Sequence, residues 1–370
     1  MVGILTFHWA DDYGAMLQAY ALKRQLELLG ERAELIPYAP VKLTGRYWLC
    51  PVCAERRPEG LRYELNRYML ARHLSMGGSF WRRRQKMRAF RRTYLTARPP
   101  IRRATDISLA PYKTVFVGSD QVWNPDITVD LDDAYVGGIP RRGDCRLAAY
   151  AASLGGNPLL PEDREKFAKC VGGGFSAVSL RERTDADWVE KLIGRPVRDV
   201  LDPVLLLDRG EWEALSRPPA AGDAIVVYAT QPNEDLMGQA RALSARLGRR
   251  IVSLSRPDTL SRDPGSLAGV QMELDGGPRE FLGWIRSACC VLTNSFHATA
   301  FSALLEKPFL SFRHSGRSVR QTDLLRKLGL SSRLWDPDRE DLWTGTDWAA
   351  VRGRLAEERA ASRRFILENL

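Results

Sequence analysis

Two runs of alternating apolar strands and amphipathic helices, joined at a proline-rich bend, constrain this chain more than any other feature. In the first run the apolar blocks 4–8, 33–36, 114–117, 147–151, 176–180 and 203–207 read as strands. Helical spacing is predicted over 14–29, closed by Gly30, and over 182–192. The bend is Arg217-Pro218-Pro219-Ala220-Ala221-Gly222, a linker composition. In the second run strands are predicted over 224–228, 251–254, 290–293 and 308–312. Helices are predicted over 233–247, 278–287, 296–305, 320–328 (ended by Gly329) and 347–368.

Strand and helix alternation twice over implies two doubly wound parallel sheets. The expected architecture is therefore α/β, with two Rossmann-like domains facing a cleft. The N-terminal domain spans 1–215 and carries a basic helical insert at 42–103. The C-terminal domain spans 222–346, and the last helix, 347–370, is expected to pack back on the first domain. A chain of 370 residues with 44% apolar content has enough apolar material for two cores.

The net charge of +10 is concentrated in the insert, where 17 Lys/Arg stand against 3 Asp/Glu. The same stretch carries Tyr47, Trp48, Tyr63, Tyr68, Phe80, Trp81, Phe90 and Tyr94. Two helices are predicted there, near 60–75 and 79–95, with Gly77-Gly78 between them. Basic and aromatic residues so mixed suit nucleic acid, an anionic membrane face or an acidic partner; they also suit a plain solvated helical face. No apolar run approaches the ~20 residues of a membrane span, and the N-terminus reads as a strand, not a signal peptide. Six cysteines fit a reducing compartment, so a cytoplasmic protein is expected, held peripherally at the inner face of the membrane if the insert touches lipid. Cys50 and Cys53 form one Cys-x-x-Cys pair with no second pair to complete a zinc ribbon.

Ligands in doubly wound folds sit beyond the carboxyl ends of the strands, so four polar strand-to-helix turns are candidate sites. Asp11-Asp12-Tyr13-Gly14 opens the first helix, either as an acidic cap or as an anion-facing N-terminus. Gly118-Ser119-Asp120-Gln121 follows a buried strand and reads as a site lining. Ser179-Leu180-Arg181-Glu182-Arg183 supplies guanidinium groups that either clamp a phosphate or carboxylate or pair with neighbouring acids. Thr293-Asn294-Ser295-Phe296-His297 sets a histidine at a helix start, where the dipole disfavours imidazolium and leaves a neutral donor or acceptor. Arg313, His314, Arg317 and Arg320 add positive charge beyond the next strand.

Taken in order, these segments resemble the polysaccharide pyruvyl transferase family. The resemblance runs from Ile4-Leu5-Thr6-Phe7-His8 and Tyr13-Gly14-Ala15-Met16-Leu17-Gln18 through Gly118-Ser119-Asp120-Gln121-Val122-Trp123-Asn124, Tyr150-Ala151-Ala152-Ser153 and Asp202-Pro203-Val204 to Thr293-Asn294-Ser295-Phe296-His297 and Leu324-Leu325-Arg326-Lys327-Leu328-Gly329. It implies a fold like the GT-B glycosyltransferases and a transferase that moves the enolpyruvyl unit of phosphoenolpyruvate onto a sugar of a glycan precursor, forming a pyruvate ketal. The acceptor is implied to be a glycan or lipid-linked sugar. Phosphoenolpyruvate is the donor substrate, with no metal, no other cofactor and no nucleic acid. His297, Arg181 and Asp120 are then the implied catalytic group. Tyr13, Gly14, Gln18, Ser119, Gln121, Arg183, Asn294, Ser295, Arg317 and Arg320 are the implied substrate contacts. Ser295-Phe296 stands where characterised members tend to carry Arg-Leu, so Arg317 or Arg320 would supply the charge. Two other readings stay open. One is a nucleotide-sugar glycosyltransferase of GT-B type with Glu273, Asp275 or Glu280 at a ribose. The other is a non-catalytic basic module binding membrane or nucleic acid.

Overall fold

The computed structural model describes all residues except 58, 141–142, 157–158, 315–318, 340–342 and 344. The chain divides into two compact units. The first comprises Met1–Gly77, Arg88–Leu206 and Glu358–Leu370; the second comprises Gly78–Met87 and Leu207–Glu357.

The first unit holds β1 (Val2–Leu5), β2 (Ala33–Leu35), the hairpin pair β3 (Val52–Arg57) and β4 (Gly60–Leu65), then β5 (Thr114–Val117), β6 (Arg146–Ala152), β7 (Ala177–Leu180) and β8 (Arg198–Asp199). Six of these form one parallel sheet in the order β2-β1-β5-β6-β7-β8. The strands β1 and β5 are buried at every position. Strands covered on both faces read as unbroken apolar runs for that reason. Val115, Val117, Leu147, Val178 and Leu180 belong to one core with Trp123, Phe167 and Phe175.

The second unit adds β9 (Ile225–Tyr228), β10 (Ile251–Ser253), β11 (Val270–Met272), β12 (Cys290–Thr293) and β13 (Phe309–Ser311). They form a parallel sheet in the order β11-β10-β9-β12-β13. Counted along the chain this is 3-2-1-4-5, a doubly wound order. Ile225, Val227, Leu292, Leu310 and Phe312 form its core with Leu236, Met237 and Leu243 of the helix Glu234–Leu247.

Three expectations change. Residues 203–207 are not a strand. Pro203–Leu205 make one 3₁₀ turn, because Pro203 has no N–H for a ladder and a fixed φ, and the Asp202 carboxylate accepts from the Val204 amide at 3.1 Å. The sheet ends instead in the two-residue β8, too short to leave a pattern. Residues 60–65 are not helical either. Leu61, Tyr63 and Leu65 alternate with period two and pair antiparallel with β3. The helix Arg67–Met76 starts only where the Asn66 side chain accepts from the Met69 amide at 3.0 Å. The second insert helix is Gly78–Phe90, followed by a wider π turn at Arg91–Leu95. Within the second unit its Arg82 pairs with Asp275 at 2.7 Å. The final helix is Trp348–Glu368. In the first unit its Ser362 hydroxyl accepts from the Leu201 amide at 2.9 Å, and its Arg363 donates to the Leu206 carbonyl at 2.8 Å.

Candidate functional site

In each sheet the chain order reverses at one point, between β1 and β5 in the first unit and between β9 and β12 in the second. The polar residues gather at the carboxyl ends of those strands, where ligands of doubly wound sheets bind.

In the first unit a continuous hydrogen-bonded network runs across the sheet. The Gln18 side-chain N–H donates to the Thr6 hydroxyl at 2.9 Å, and that hydroxyl donates to the Ser119 carbonyl at 2.8 Å. The Ser119 hydroxyl lies 3.1 Å from an Asp202 carboxylate oxygen and 2.9 Å from the Ala151 carbonyl. The turn that carries Ser119 is crowded. Gly118 has φ +112°, and a Cβ there would sit 2.3 Å from the Tyr150 carbonyl oxygen, so no other residue fits. Asp120, at φ +74°, is held in a left-handed conformation that side chains rarely adopt.

Arg181 is the centre of this network. Its guanidinium is 1% exposed and lies 2.8 Å from Glu182, 2.7 Å from Asp202 and 3.5 Å from Asp120. Burial opposes the charge, but the Glu182, Asp202 and Asp120 carboxylates outweigh it and raise the pKa above the ordinary arginine value. Ser153 adds a hydrogen bond to Glu182 at 3.0 Å. Of the two arrangements open for Arg181, the geometry is the pair with neighbouring acids. Three carboxylates already converge on this guanidinium. Arg183, by contrast, is 64% exposed and pairs with Asp187 one helical turn on, a solvated surface pair worth a fraction of a kcal/mol.

The first turn is held by its own side chains. Asp12 caps the helix Tyr13–Leu28, accepting from the Ala15 amide at 2.9 Å. Asp11 binds Arg91 at 2.9 Å, and Arg91 also donates to the His8 and Trp9 carbonyls. Tyr13, Gly14 and Gln18 are buried along the start of that helix, and Gln121 holds the Asn124 amide at 2.9 Å. His8 carries no mark of a site residue in the sequence, because it falls inside an apolar block. Its ring is fully buried and its Nδ1 lies 3.0 Å from the Thr6 carbonyl. Since a carbonyl only accepts, Nδ1 carries the proton. Burial, with Arg91 nearby and despite the Thr6 bond, lowers the His8 pKa to about 3.

In the second unit Asn294 closes the switch point. Its side-chain oxygen accepts from the Thr230 amide at 2.8 Å and its N–H donates to the Gln231 carbonyl at 2.9 Å. The end of β12 is thereby tied to the loop after β9. Thr293 supports the same turn, donating to the Tyr228 carbonyl and accepting from the Ser295 amide at 2.9 Å. Ser295 is the N-cap residue of the helix Phe296–Leu304, whose first turn contains His297, 8% exposed. The first amides of such a helix have no partner within it. Arg320 lies half-buried in the helix Val319–Lys327, and Arg317 lies outside the described residues. Glu273, Asp275 and Glu280 line a separate surface cavity of about 530 Å³ with Lys86, Arg217 and Arg250. There Glu280 caps the Gly277 amide at 2.9 Å.

The structure thus brings Ser119, Asp120 and Arg181 together in the first unit, and Asn294, Ser295 and His297 together in the second. It sets Arg183 apart in solvent. Asp202, Glu182 and Ser153 complete the first cluster. Each stands in one of the motif segments, yet only the fold brings Asp202 and Glu182 onto Arg181 and Ser153 onto Glu182. Among the described residues no three His, Cys, Asp or Glu side chains cluster as a metal site, and no helix is long and apolar enough to cross a membrane.

A family model described as polysaccharide pyruvyl transferase matches residues 12–316 of the chain. No curated protein is a significant match. Solved structures that resemble it include one from Listeria monocytogenes assigned as a UDP-N-acetylglucosamine 2-epimerase, at 10% identity and TM-score 0.49, covering 96% of this chain and 87% of that one. Another is the UDP-GlcNAc 2-epimerase of Neisseria meningitidis bound to UDP-GlcNAc, at 10% identity and TM-score 0.48, covering 100% and 99%.

Proposed function

The chain belongs to the polysaccharide pyruvyl transferase family, and from that premise we propose that it transfers the enolpyruvyl unit of phosphoenolpyruvate to a sugar of a surface-glycan precursor. In this reading one sugar hydroxyl gives its proton to a base and adds through oxygen to C2 of the enolpyruvyl unit, while an acid delivers a proton to C3, which becomes a methyl group. A second hydroxyl then displaces phosphate from C2 and closes the ketal, and its proton leaves with the phosphate or a nearby base.

The observation that carries the reading is His297 in the first turn of the helix Phe296–Leu304, beyond β12 at the switch point. The positive end of the helix dipole favours the phosphate and carboxylate of the donor. An imidazole there suits one of the two proton transfers. Arg181 holds Asp120 and the Ser119 turn in place within the first unit. The test is incubation with labelled phosphoenolpyruvate and a panel of lipid-linked and nucleotide-linked sugars. An acid-labile ketal and released phosphate are expected; no transfer across the panel would remove the reading.

We further propose that the 42–103 segment rests on anionic lipid, where a lipid-linked acceptor would be found. On the β3–β4 hairpin Val52, Ala54, Leu61, Tyr63 and Leu65 share one face with Arg56, which pairs with Asp163, while Cys53, Glu55, Arg57, Arg62 and Glu64 share the other. Tyr63 and Leu65 are exposed, as are Trp48, Leu49, Tyr68 and Leu74 in the same unit. Exposed aromatic and leucine side chains beside basic residues suit a membrane interface, and each well-placed cation adds about 1 kcal/mol. Flotation with anionic vesicles at low salt is expected to carry the protein upward, and Tyr63→Ser with Leu65→Ser to abolish it. A protein that stays at the bottom of the gradient would refute the contact.

A further inference from the structure

Beside the network of the first unit lies a small cavity whose polar chemistry nothing described so far uses. It has a volume of about 50 Å³ and is walled by Phe7, Tyr38, Leu43, Tyr47, Ile127 and Tyr135, with His8 and Trp9 completing the lining. It sits at the carboxyl end of β1, next to the switch point.

Most polar groups on this lining are already engaged. The Tyr38 hydroxyl donates to Asp132 at 2.9 Å, Thr44 donates to the Pro40 carbonyl at 3.0 Å, and Arg46 donates to the Ile127 carbonyl at 3.2 Å. Two ring nitrogens, His8 Nε2 and Trp9 Nε1, are buried and have no hydrogen-bond partner among the described residues. Leaving such groups unmade costs a folded protein about 1–3 kcal/mol each, and side chains so placed call for a ligand that completes them.

The two orphans are chemically complementary. The His8 proton is fixed on Nδ1 by the Thr6 carbonyl, so Nε2 presents a lone pair and accepts. The Trp9 indole N–H only donates. The two rings are neighbours, with centroids 5.4 Å apart. An anionic oxygen would satisfy Trp9 but meet the His8 lone pair. An ammonium group would satisfy His8 but meet the indole N–H. A hydroxyl carries both functions, a proton for Nε2 and a lone pair for Nε1. The aromatic walls suit the C–H face of a ring that carries such a hydroxyl. About 50 Å³ takes a hydroxyl and its carbon, not a whole saccharide, so the remainder of the ring would lie at the mouth.

We propose that His8 and Trp9 form a binding subsite for one hydroxyl of a neutral carbohydrate ring, with the aromatic wall of Phe7, Tyr38, Tyr47 and Tyr135 against its apolar face. The subsite deepens the acceptor side of the function proposed above and rests on it for the identity of the sugar, but its test needs no phosphoenolpyruvate. The full chain, labelled with ¹⁵N at tryptophan indoles, is titrated with methyl glycosides of glucose, galactose and N-acetylglucosamine, and separately with inorganic phosphate. Trp9→Phe assigns the Trp9 resonance and keeps a ring beneath Arg91, which stacks on it at 5.0 Å.

The Trp9 indole resonance is expected to move with at least one glycoside and not with phosphate. Trp9→Phe and His8→Gln are each expected to weaken that glycoside about tenfold, the loss of one buried hydrogen bond. Trp9→Phe stays informative if His8→Gln does not fold. A Trp9 resonance that no glycoside moves, one that phosphate moves instead, or glycoside binding unchanged in Trp9→Phe would overturn the subsite. Any of these could occur while ketal formation from phosphoenolpyruvate still proceeds, and the reverse holds too, so the two proposals fail separately.

Discussion

The Asn294 side-chain oxygen accepts from the Thr230 amide at 2.8 Å, joining the end of β12 to the loop after β9 at the reversal point of the second sheet. Its N–H closes the same loop on the Gln231 carbonyl at 2.9 Å. Asn294 is 1% exposed, while its partners Thr230 and Gln231 are exposed and half-buried, so the bonds are shielded on the Asn294 side only. Asn294→Ala strips partners from one donor and one acceptor that water can partly reach. A loss of about 1–3 kcal/mol is expected from two lost hydrogen bonds, read as a lower urea midpoint with an unchanged m-value. A variant as stable as the parent would show that the loop is held by something else.

Arg181 makes the opposite kind of prediction, because its partners are charged. Removing one member of a buried ion cluster typically costs about 3–5 kcal/mol, since the remaining charges stay uncompensated. Here three carboxylates would remain. Arg181→Met is therefore expected to be among the most destabilising single changes in the first unit, and Asp202→Asn in the same chain to restore part of the loss. Were Arg181 chiefly a ligand of an anionic substrate, Arg181→Met would lower substrate affinity and leave the unfolding midpoint nearly untouched. Chemical unfolding of the single and double variants distinguishes the two.

How far the sequence led depends on what kind of information each feature needs. The strand ends were legible because buried parallel strands are short apolar blocks bounded by polar turns, as at 290–293 followed by Asn294. The helix Pro278–Ser287 was legible because its apolar face recurs at helical spacing. The hairpin β3–β4 is not legible, because its period-two alternation of Leu61, Tyr63 and Leu65 lies in a basic stretch that also suits a helix. Asp202 was read as part of a motif followed by a strand, and its role depends on long-range contacts with Ser119 and Arg181, 83 and 21 residues away. His8 was hidden inside an apolar block. The partner that fixes its proton is a backbone carbonyl two residues back, and no pattern of residue types records that.

His8 also ties stability to pH. In the unfolded chain a histidine takes up a proton near pH 6.5, whereas in the fold burial lowers its pKa to about 3. Above pH 6.5 both states carry a neutral ring and the group adds no pH dependence. Between these values only the unfolded chain binds the proton, so stability falls by about 1.4 kcal/mol per unit of acidification. From pH 7.5 to pH 5.0 the loss from this residue should reach about 2 kcal/mol. His8→Asn removes the linkage. The gap between variant and parent, measured by urea unfolding, should therefore narrow by about that amount on going from pH 7.5 to pH 5.0. A gap that stays constant would mean that His8 titrates normally in the fold.

His297 allows function to be separated from structure. It lies in the first turn of the helix Phe296–Leu304 and is 8% exposed, while the turn before it is secured by Asn294 and Thr293. His297→Gln keeps a polar side chain of similar reach but cannot carry a proton between groups. Loss of general acid–base help costs about 10²–10⁴ in rate. Turnover of labelled phosphoenolpyruvate with a competent acceptor should fall by that range, while the urea midpoint moves far less than in Asn294→Ala. The split matters as much as the size. If His297 carries the proton, kcat falls and KM for phosphoenolpyruvate changes little. If it only binds the donor, KM rises and kcat survives. A His297→Gln variant with both constants near those of the parent would assign the proton transfer to another residue, and with it remove the observation on which the proposed function rests.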